Sequence, residues 1–315
     1  MNQKHLILYL KGMLMGIADL VPGVSGGTIA LVVGIYEELI HSLNQLRPKH
    51  IRLLFTSGWK SFWTAINGNF LLSVFGGIIT SIIAFSYLIN WLYTVYQPVL
   101  FAFFLGVLLS SFLLLRKNIT AWNSSNYLAL VLGAAIAIGI AQLAPSTGNI
   151  SLLYLFFCGS ITISAMLLPG LSGAYLLLLL GAYQPVLNAL SSFFGALATV
   201  DTAALVEYGS QLFSLGIGVI LGLLLFSGFL KWCLHNYYAP TLSLLLGLML
   251  GASYKIWPWQ NEVQELQKGA TELVWPNAFN SDPQLLATVI AFCCGVALLF
   301  ALEKFLNLLQ NETTH

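Results

Sequence analysis

Charged residues are scarce in this chain: Asp, Glu, Lys and Arg make up 7% of its 315 residues, against about 25% in soluble domains. So few charges cannot cover a globular surface in water, and 58% of the residues are hydrophobic. The mean hydropathy of +0.85 agrees with that composition. The sequence therefore excludes a soluble globular domain and a disordered chain, and it indicates an integral membrane protein. The net charge of +1 carries no signal for nucleic-acid binding.

The residues and motifs of common catalytic and metal sites are also few. The four cysteines lie in or beside apolar runs, and no pair has metal-site spacing, so we expect them to be packing residues. The five histidines form no metal-spaced pair, and no HExxH, CxxC or Walker lysine loop occurs. We therefore expect neither an enzyme nor a bound metal or organic cofactor.

What the chain does contain is an internal repeat. Residues 12–43 align without a gap with residues 159–190, and both segments carry Pro-Gly-x-Ser-Gly followed by Gly-x-Tyr. A Leu-rich background produces scattered matches but not this ordered core. The alignment predicts two similar halves, residues 1–148 and 149–315.

Each half repeats one order of apolar segments: a short arm, a Pro-Gly break, a second arm and three long runs. The expected spans are residues 70–93, 98–115 and 126–144 in the first half, and 210–230, 240–256 and 284–303 in the second. At the start of the second span, Tyr96-x-Pro98 resembles Tyr238-x-Pro240. Residues 50–66 have apolar positions at helical spacing with basic residues nearby, which predicts an interfacial helix.

The broken segments, residues 6–46 and 150–195, allow three topologies. Pro22 and Pro169 each remove a backbone donor, so each pair of arms forms one broken span, two spans or a re-entrant hairpin. If both segments are hairpins and the N-terminus is cytoplasmic, all but two of the 12 Lys and Arg residues face the cytoplasm. The positive-inside rule therefore favours two re-entrant hairpins.

Three full spans in each half then place the second half upside down relative to the first. We therefore predict an all-α integral membrane protein built from two inverted repeats, each a re-entrant helical hairpin plus three transmembrane helices. Both termini are expected in the cytoplasm. Inverted repeats with discontinuous helices are a transporter architecture, and a duplicated channel or scaffold is the alternative.

The paired breaks are the strongest candidate site. Backbone that leaves the helix inside a membrane is buried in protein or lines a wet cavity. The start of each second arm attracts an anion through its N–H groups and helix dipole. The candidate phosphate-binding residues are Gly23, Ser25, Gly26, Gly27, Thr28, Gly170, Ser172 and Gly173, beside the breaks at Pro22 and Pro169. Close helix packing through small residues is the alternative.

A few charged residues interrupt or flank the apolar arms. Asp19 lies inside the first arm, where a carboxylate is costly, and is a candidate for binding a coupling ion, carrying a proton or capping a helix end. Glu37, at the mouth of the hairpin, is a second candidate for ion or proton coupling. Lys11, Arg47 and Arg52 are candidates for a rim that binds anionic headgroups, although snorkelling and topology also explain them.

The stretch DLVPGVSGGTIALVVGIY at 19–36, together with LLPGLSGAYLLLLLGAY at 167–183, resembles the bacterial polyprenyl-phosphate transporter family. The resemblance covers almost the whole chain. It implies a translocase of undecaprenyl phosphate in the bacterial inner membrane, returning this lipid carrier from the outer to the cytoplasmic leaflet for peptidoglycan and other envelope polymers. The positions that match the family motifs are Asp19, Pro22, Gly23, Ser25, Gly26, Gly27, Thr28 and Glu37, then Pro169, Gly170, Ser172 and Gly173. Where the family pattern has a small polar residue after the second Ser-Gly, this chain has Ala174.

Two other functions fit the same residues. A secondary transporter of a small soluble anion or solute would use the same breaks, and a membrane scaffold would use them only for packing. For a lipid translocase, the expected partners are undecaprenyl phosphate and the surrounding membrane lipids, with a proton or sodium ion as the candidate coupling ion.

Overall fold

The computed structural model describes residues 3–20, 25–142, 151–262 and 271–312. The helices within these ranges are α1 Gln3–Asp19, α2 Gly26–Val32, α3 Tyr36–Asn44, α4 Pro48–Ile51, α5 Leu53–Thr56, α6 Gly58–Ala65, α7 Gly68–Val95, α8 Gln97–Leu115, α9 Ser124–Ala141, α10 Leu152–Leu167, α11 Gly173–Leu179, α12 Tyr183–Thr199, α13 Thr202–Asn236, α14 Tyr238–Ala252 and α15 Leu285–Glu312. Short 3-10 turns occupy Arg116–Asn118 and Pro276–Ala278. Strands β1 Gln260–Glu262 and β2 Thr271–Leu273 pair antiparallel in the polar loop before α15.

Four helices among the described residues are long and apolar enough to cross a membrane. They contain the segments Gly68–Phe85, Gln97–Asn118, Ser124–Ala141 and Thr202–Asn236. Helix α14 has 15 residues, which at 1.5 Å per residue is about 22 Å, shorter than the roughly 30 Å hydrocarbon core. The span predicted over 240–256 is therefore a shorter helix that lies mostly inside the protein.

The centre of the protein is formed by α8 and α14. Both helices are apolar on all sides, as expected for helices surrounded by other helices. Leu245, Leu246 and Met249 of α14 have no exposed surface. By contrast, Ile83 on α7 is 74% exposed and Leu225 on α13 is 75% exposed. This distribution, with large apolar side chains on the outside, suits a surface that faces lipid rather than water.

Glycines bring matching helix pairs of the two halves into backbone contact. Gly77 of α7 lies against the Tyr9 carbonyl of α1, and Gly218 of α13 lies against the Phe156 carbonyl of α10. A Cβ atom at either glycine would collide with that carbonyl, so only glycine allows the helices to approach this closely. The pair α1 and α7 therefore packs as the pair α10 and α13 does.

The next helices pack across the boundary between the halves. Gly106 of α8 lies against Phe292 of α15, and Gly247 of α14 lies against Leu130 of α9. The second long helix of each half thus packs on the last long helix of the other half. The two halves are therefore joined through α8 and α14, their most buried helices.

Contacts along α9 and α14 also give the relative direction of these helices. Gly247 lies against Leu130 and Ala134, and one turn later Gly251 lies against Ala134 and Ala137. The contact moves toward the C-terminus of α9 as it moves toward the C-terminus of α14, so the two helices run parallel. The start of α9 and the start of α14 therefore lie on the same side of the protein.

Each second arm, predicted as one continuous segment, consists of two helices. The arms break at Gly34 and Gly181, whose φ angles of 71° and 67° lie in the left-handed region that glycine tolerates. The N–H of Ile35 and that of Ala182 each donate to a carbonyl five residues earlier, at 2.9 and 3.0 Å. This bond is the mark of a Schellman motif, so the Gly-x-Tyr part of the repeat ends one helix and begins the next.

Residues 50–66 were predicted to form one helix, and the structure divides this stretch among α4, α5 and α6. The last break lies at Gly58, which has a φ of 80°. Phe55 is 87% exposed, and Trp59 stacks on Trp63 with ring centroids 5.4 Å apart. The segment therefore consists of three short helices, and large apolar side chains are exposed along it.

In the structure, the second-half counterpart of Tyr96 is Tyr237, one residue before the Tyr238 of the similar sequence motif. Trp91 packs edge-on against Tyr96 at 5.2 Å, and Trp232 packs edge-on against Tyr237 at 5.5 Å. Tyr96 and Tyr237 also end α7 and α13 with similar backbone angles, φ −127° and −136°. A single residue inserted before Pro240 hides this equivalence in the sequence.

Candidate functional site at the two broken segments

In the first break, the donors at the start of α2 are already bonded within the chain. The Asp19 carboxylate accepts the N–H of Gly26 at 2.6 Å. The Ser25 hydroxyl accepts the N–H of Gly27 at 3.2 Å and is the N-cap of α2. The structure therefore shows Asp19 in the capping role, one of the three considered for it.

Two of the predicted site residues, Pro22 and Gly23, lie outside the described residues. The flanking positions are described on both sides, since α1 ends at Asp19 and α2 begins at Gly26. The helical interruption is therefore found where the Pro-Gly motif predicts it.

The second break separates α10 from α11. Gly170 has a φ of 85°, and a Cβ atom there would lie 2.6 Å from the Leu248 carbonyl oxygen of α14. Pro169 is buried beside it. Ser172 precedes α11, and its carbonyl accepts the N–H of Leu176 at 3.0 Å. The second break is thus packed directly against the central helix α14.

The two breaks touch each other. The N–H of Gly170 donates to the Thr28 hydroxyl at 2.8 Å, and the Tyr36 hydroxyl donates to the Leu167 carbonyl at 2.7 Å. Both hydrogen bonds are buried. Thr28, predicted as a donor to a ligand, here accepts a bond from the opposite break. The structure thus joins the two broken segments by two specific hydrogen bonds.

The start of α2 also faces the end of α10. A Cβ atom at Gly27 would lie 3.1 Å from the Met166 carbonyl oxygen and 3.6 Å from that of Leu167. The partial positive charge at the N-terminus of α2 therefore meets the partial negative charge at the C-terminus of α10. In this conformation, the attraction of the first break for an anion is offset by these carbonyls and by Asp19.

At the mouth of the first hairpin, α3 bonds to the second half. The Glu37 carboxylate lies near the Tyr238 hydroxyl at the start of α14. The Asn44 amide donates to the Ser227 hydroxyl of α13 at 3.4 Å. Polar contacts therefore link the halves at this mouth as well as at the breaks.

The three candidate rim cations have different surroundings. Lys11 donates to the Val33 carbonyl at 2.6 Å, placing its charge at the negative end of α2. Arg47 is exposed and lies near Gly228 of α13, and Arg52 is exposed between α4 and α5. Lys11 is thus tied into the first broken segment, whereas the two arginines lie beyond α3.

The sequence missed the roles of Tyr36 and Asn44. Gly-x-Tyr stood out as a repeated motif, but nothing in it indicated that Tyr36 bonds across the halves. No group of three His, Cys, Asp or Glu residues within the described ranges is placed to hold a metal.

We expect Tyr36→Phe to lower the free energy of unfolding by about 1–2 kcal/mol, because it leaves the buried Leu167 carbonyl without its donor. The equivalent residue in the second half, Tyr183, has an exposed side chain. Thermal unfolding in detergent, followed by intrinsic fluorescence, checks this expectation, with Tyr183→Phe as the matched control. Equal loss of stability in the two variants would contradict a specific role for the Tyr36 hydroxyl.

Together, the apolar helices and the two joined breaks define a helical multi-pass membrane protein whose halves meet at interrupted segments. A family described as undecaprenyl phosphate translocase-like matches residues 15–274. The chain belongs to this family, which confirms the resemblance drawn from the Pro-Gly-x-Ser-Gly motifs.

Two curated relatives are both named polyprenyl-phosphate transporter. A polyprenyl-phosphate transporter of Vibrio cholerae is 37% identical over 315 residues, covering 96% of this chain and 98% of the relative. A polyprenyl-phosphate transporter of Staphylococcus aureus is 31% identical over 270 residues, covering 82% of this chain and 88% of the relative. No solved structure matches the chain.

Proposed function

We propose that this protein moves undecaprenyl phosphate from the outer to the cytoplasmic leaflet of the bacterial inner membrane, returning the carrier for envelope polymer synthesis. The names of its relatives support a polyprenyl-phosphate substrate. The observation that carries the proposal is the contact between the two breaks through Thr28 and Gly170. A lipid phosphate needs a polar site inside the membrane and an apolar path for its tail, and these interrupted segments lie among helices with few charges.

We further propose that the halves are inverted repeats and that both broken segments are re-entrant. Parallel packing of α9 and α14 supports this topology. Suppose that α10, α11 and α12 enter the membrane and return to the side where α9 ended. Helix α13 then crosses the membrane in the direction opposite to α9, and α14 crosses in the same direction as α9. If the segment from α10 to α12 instead crossed the membrane once, α14 would run opposite to α9. With this topology and a cytoplasmic N-terminus, both termini lie in the cytoplasm.

The proposed phosphate site lies where α2 and α11 begin, and it includes Gly23, Ser25, Gly26, Gly27, Thr28, Gly170, Ser172 and Gly173. In the conformation described here, Asp19 occupies the donor of Gly26 that a phosphate would use. We therefore propose that the carboxylate and the phosphate alternate at α2. Departure of Asp19 opens the site to the lipid, and its return helps to expel the phosphate.

This alternation offers a way to couple transport to an ion gradient. A proton or sodium ion bound by Asp19 would weaken its hold on Gly26, and Glu37 is the second candidate because it lies near Tyr238 of the other half. Arg47 and Arg52, exposed beyond α3, are proposed to attract anionic headgroups at the rim, together with Lys11 deeper in the segment. Equal transport rates in liposomes with and without each gradient would rule out the coupling.

Surface labelling of undecaprenyl phosphate in bacterial cells tests the proposed function. Cells depleted of this protein and of redundant carriers should accumulate the lipid in the outer leaflet. Expression of the wild-type protein in these cells should remove the accumulated lipid. Ser25→Ala/Ser172→Ala should fail to do so, since Ser25 caps α2 and Ser172 precedes α11. Ser61→Ala/Ser124→Ala, at two exposed serines, is the matched control.

Outer-leaflet lipid that stays at the wild-type amount in depleted cells would reject the proposal and favour a carrier of soluble anions. If the Ser25→Ala/Ser172→Ala variant is folded and fully active, the breaks serve only for packing.

A further inference from the structure

A cleft of about 430 Å³ opens at the corner between α8 and α9, away from the two breaks. Its lining includes two consecutive cations, Arg116 and Lys117, on the 3-10 turn that ends α8. Both side chains are exposed. Trp122 and Tyr127 line it as well, with ring centroids 5.1 Å apart. The described lining contains two cations and no acidic residue.

The cleft changes from polar to apolar along its lining. The two cations lie on the turn, the aromatic pair lies at the start of α9, and Phe112 of α8 and Leu130 of α9 lie one or two helical turns further into the helices. A phospholipid has the same order of chemistry, with a phosphate, a glycerol region and acyl chains. Tryptophan and tyrosine favour the depth of the glycerol region, and basic clusters at membrane surfaces bind anionic headgroups.

The connection between the turn that carries the cations and α9 is held in place by hydrogen bonds. The buried Asn126 donates through its side chain to the Ala121 carbonyl at 2.8 Å. The N–H of Asn126 donates to the Asn123 side chain at 2.9 Å, and Ile119 donates to the Arg116 carbonyl at 3.2 Å. The cleft is therefore part of the folded corner.

The matching corner of the second half does not carry this pair of cations. By the equivalence of Tyr96 with Tyr237, the positions of Arg116 and Lys117 correspond to Trp257 and Pro258. The positive-inside rule accounts for cations at one corner only, but it does not require a cleft and an aromatic pair beside them. Their combination indicates a ligand.

We propose that this cleft binds the headgroup of an anionic glycerophospholipid, its phosphate held by Arg116 and Lys117 and its glycerol region against Trp122 and Tyr127. Since α9 and α14 run parallel, the cleft lies on the side of the protein where α14 begins. The lipid therefore comes from the leaflet on that side, which is the cytoplasmic one in the proposed topology. The inference stands apart from the translocation site.

Lipid binding by the full-length protein in detergent, measured by native mass spectrometry, tests the inference. Phosphatidylglycerol should bind to the wild-type chain at least about tenfold more tightly than to Arg116→Gln/Lys117→Gln, because two phosphate contacts are removed. Lys49→Gln/Lys60→Gln removes the same charge at exposed positions outside the cleft and should change the affinity by less than about twofold. Phosphatidylcholine, which has no net charge, should bind all three proteins weakly.

Two results would overturn the inference. Equal loss of affinity in the two double variants would assign the binding to general surface charge. A short-chain polyprenyl phosphate that displaces phosphatidylglycerol at lower concentration, and depends as strongly on Arg116 and Lys117, would make the cleft a substrate site instead. Trp122→Ala, expected to weaken phosphatidylglycerol binding several-fold without changing the charge, tests the aromatic contact separately.

Discussion

Asp19→Asn is expected to slow lipid translocation by about tenfold or more while the protein stays folded. The asparagine side-chain oxygen can still accept the N–H of Gly26, so the cap of α2 is kept and only the charge is lost. Without that charge, the phosphate meets no competing anion at α2. Two unit charges about 4 Å apart at a protein surface repel by roughly 4 kcal/mol, which is more than enough for a tenfold effect.

The affinity for the lipid phosphate should rise in Asp19→Asn as its turnover falls, because the group proposed to expel the phosphate is gone. Asp19→Ala removes the cap as well as the charge and should also lose about 1 kcal/mol of stability.

Asp201 provides the matched control for Asp19. It caps α13 by accepting the N–H groups of Ala203 and Ala204 at 3.1 and 3.2 Å, so Asp201→Asn removes the same charge from another helix start. Binding and turnover are measured in the same liposome preparation. If Asp19→Asn turns over at the wild-type rate, Asp19 is a structural cap and the alternation is wrong.

Thr28→Val is expected to abolish most of the transport, and Thr28→Ser to retain it. Valine has the shape of threonine but no hydroxyl, so the buried N–H of Gly170 loses its acceptor, at a cost of about 1–3 kcal/mol. Serine keeps the hydroxyl. Since this bond joins the two breaks, its loss should separate the segments proposed to cradle the phosphate.

Substitution of a second buried threonine serves as a control that distinguishes a loss of stability from a loss of transport. Thr288 of α15 is as buried as Thr28, each 2% exposed, and its hydroxyl bonds to the Pro283 carbonyl far along the chain from both breaks. Thr288→Val should lower thermal stability but leave transport per folded molecule near the wild-type value. If Thr28→Val behaves in the same way, the contact between the breaks contributes to folding alone.

The sequence predicted the positions of both breaks because proline and glycine change backbone geometry locally. The interruption after Asp19 and the one after Leu167 lie where the motif places them. Hydropathy indicated long apolar helices for a similar reason, because burial in lipid requires long apolar runs, and four helices among the described residues are long and apolar enough to cross a membrane. These features depend on neighbouring residues and can be recognised from a single chain.

The remaining features depend on partners distant in the sequence. Gly34 belongs to the repeated Gly-x-Tyr motif, but nothing in that motif indicates a helix end, and only the fold shows that Gly34 ends α2. The bond from Gly170 to Thr28 links positions in different halves, and no local pattern specifies it. The bonds from the N–H groups of Gly26 and Gly27 to Asp19 and Ser25 were likewise not specified by the Pro-Gly-x-Ser-Gly motif.

The most direct test of the central claim is transbilayer movement of undecaprenyl phosphate in liposomes containing the purified protein. Lipid loaded on one leaflet is followed by its accessibility to a phosphatase added outside. Wild-type protein should speed the exchange well above protein-free liposomes, and Thr28→Val should return it close to the protein-free rate with Thr28→Ser remaining active. Exchange at the protein-free rate with folded wild-type protein, under every ion gradient applied, would contradict the account.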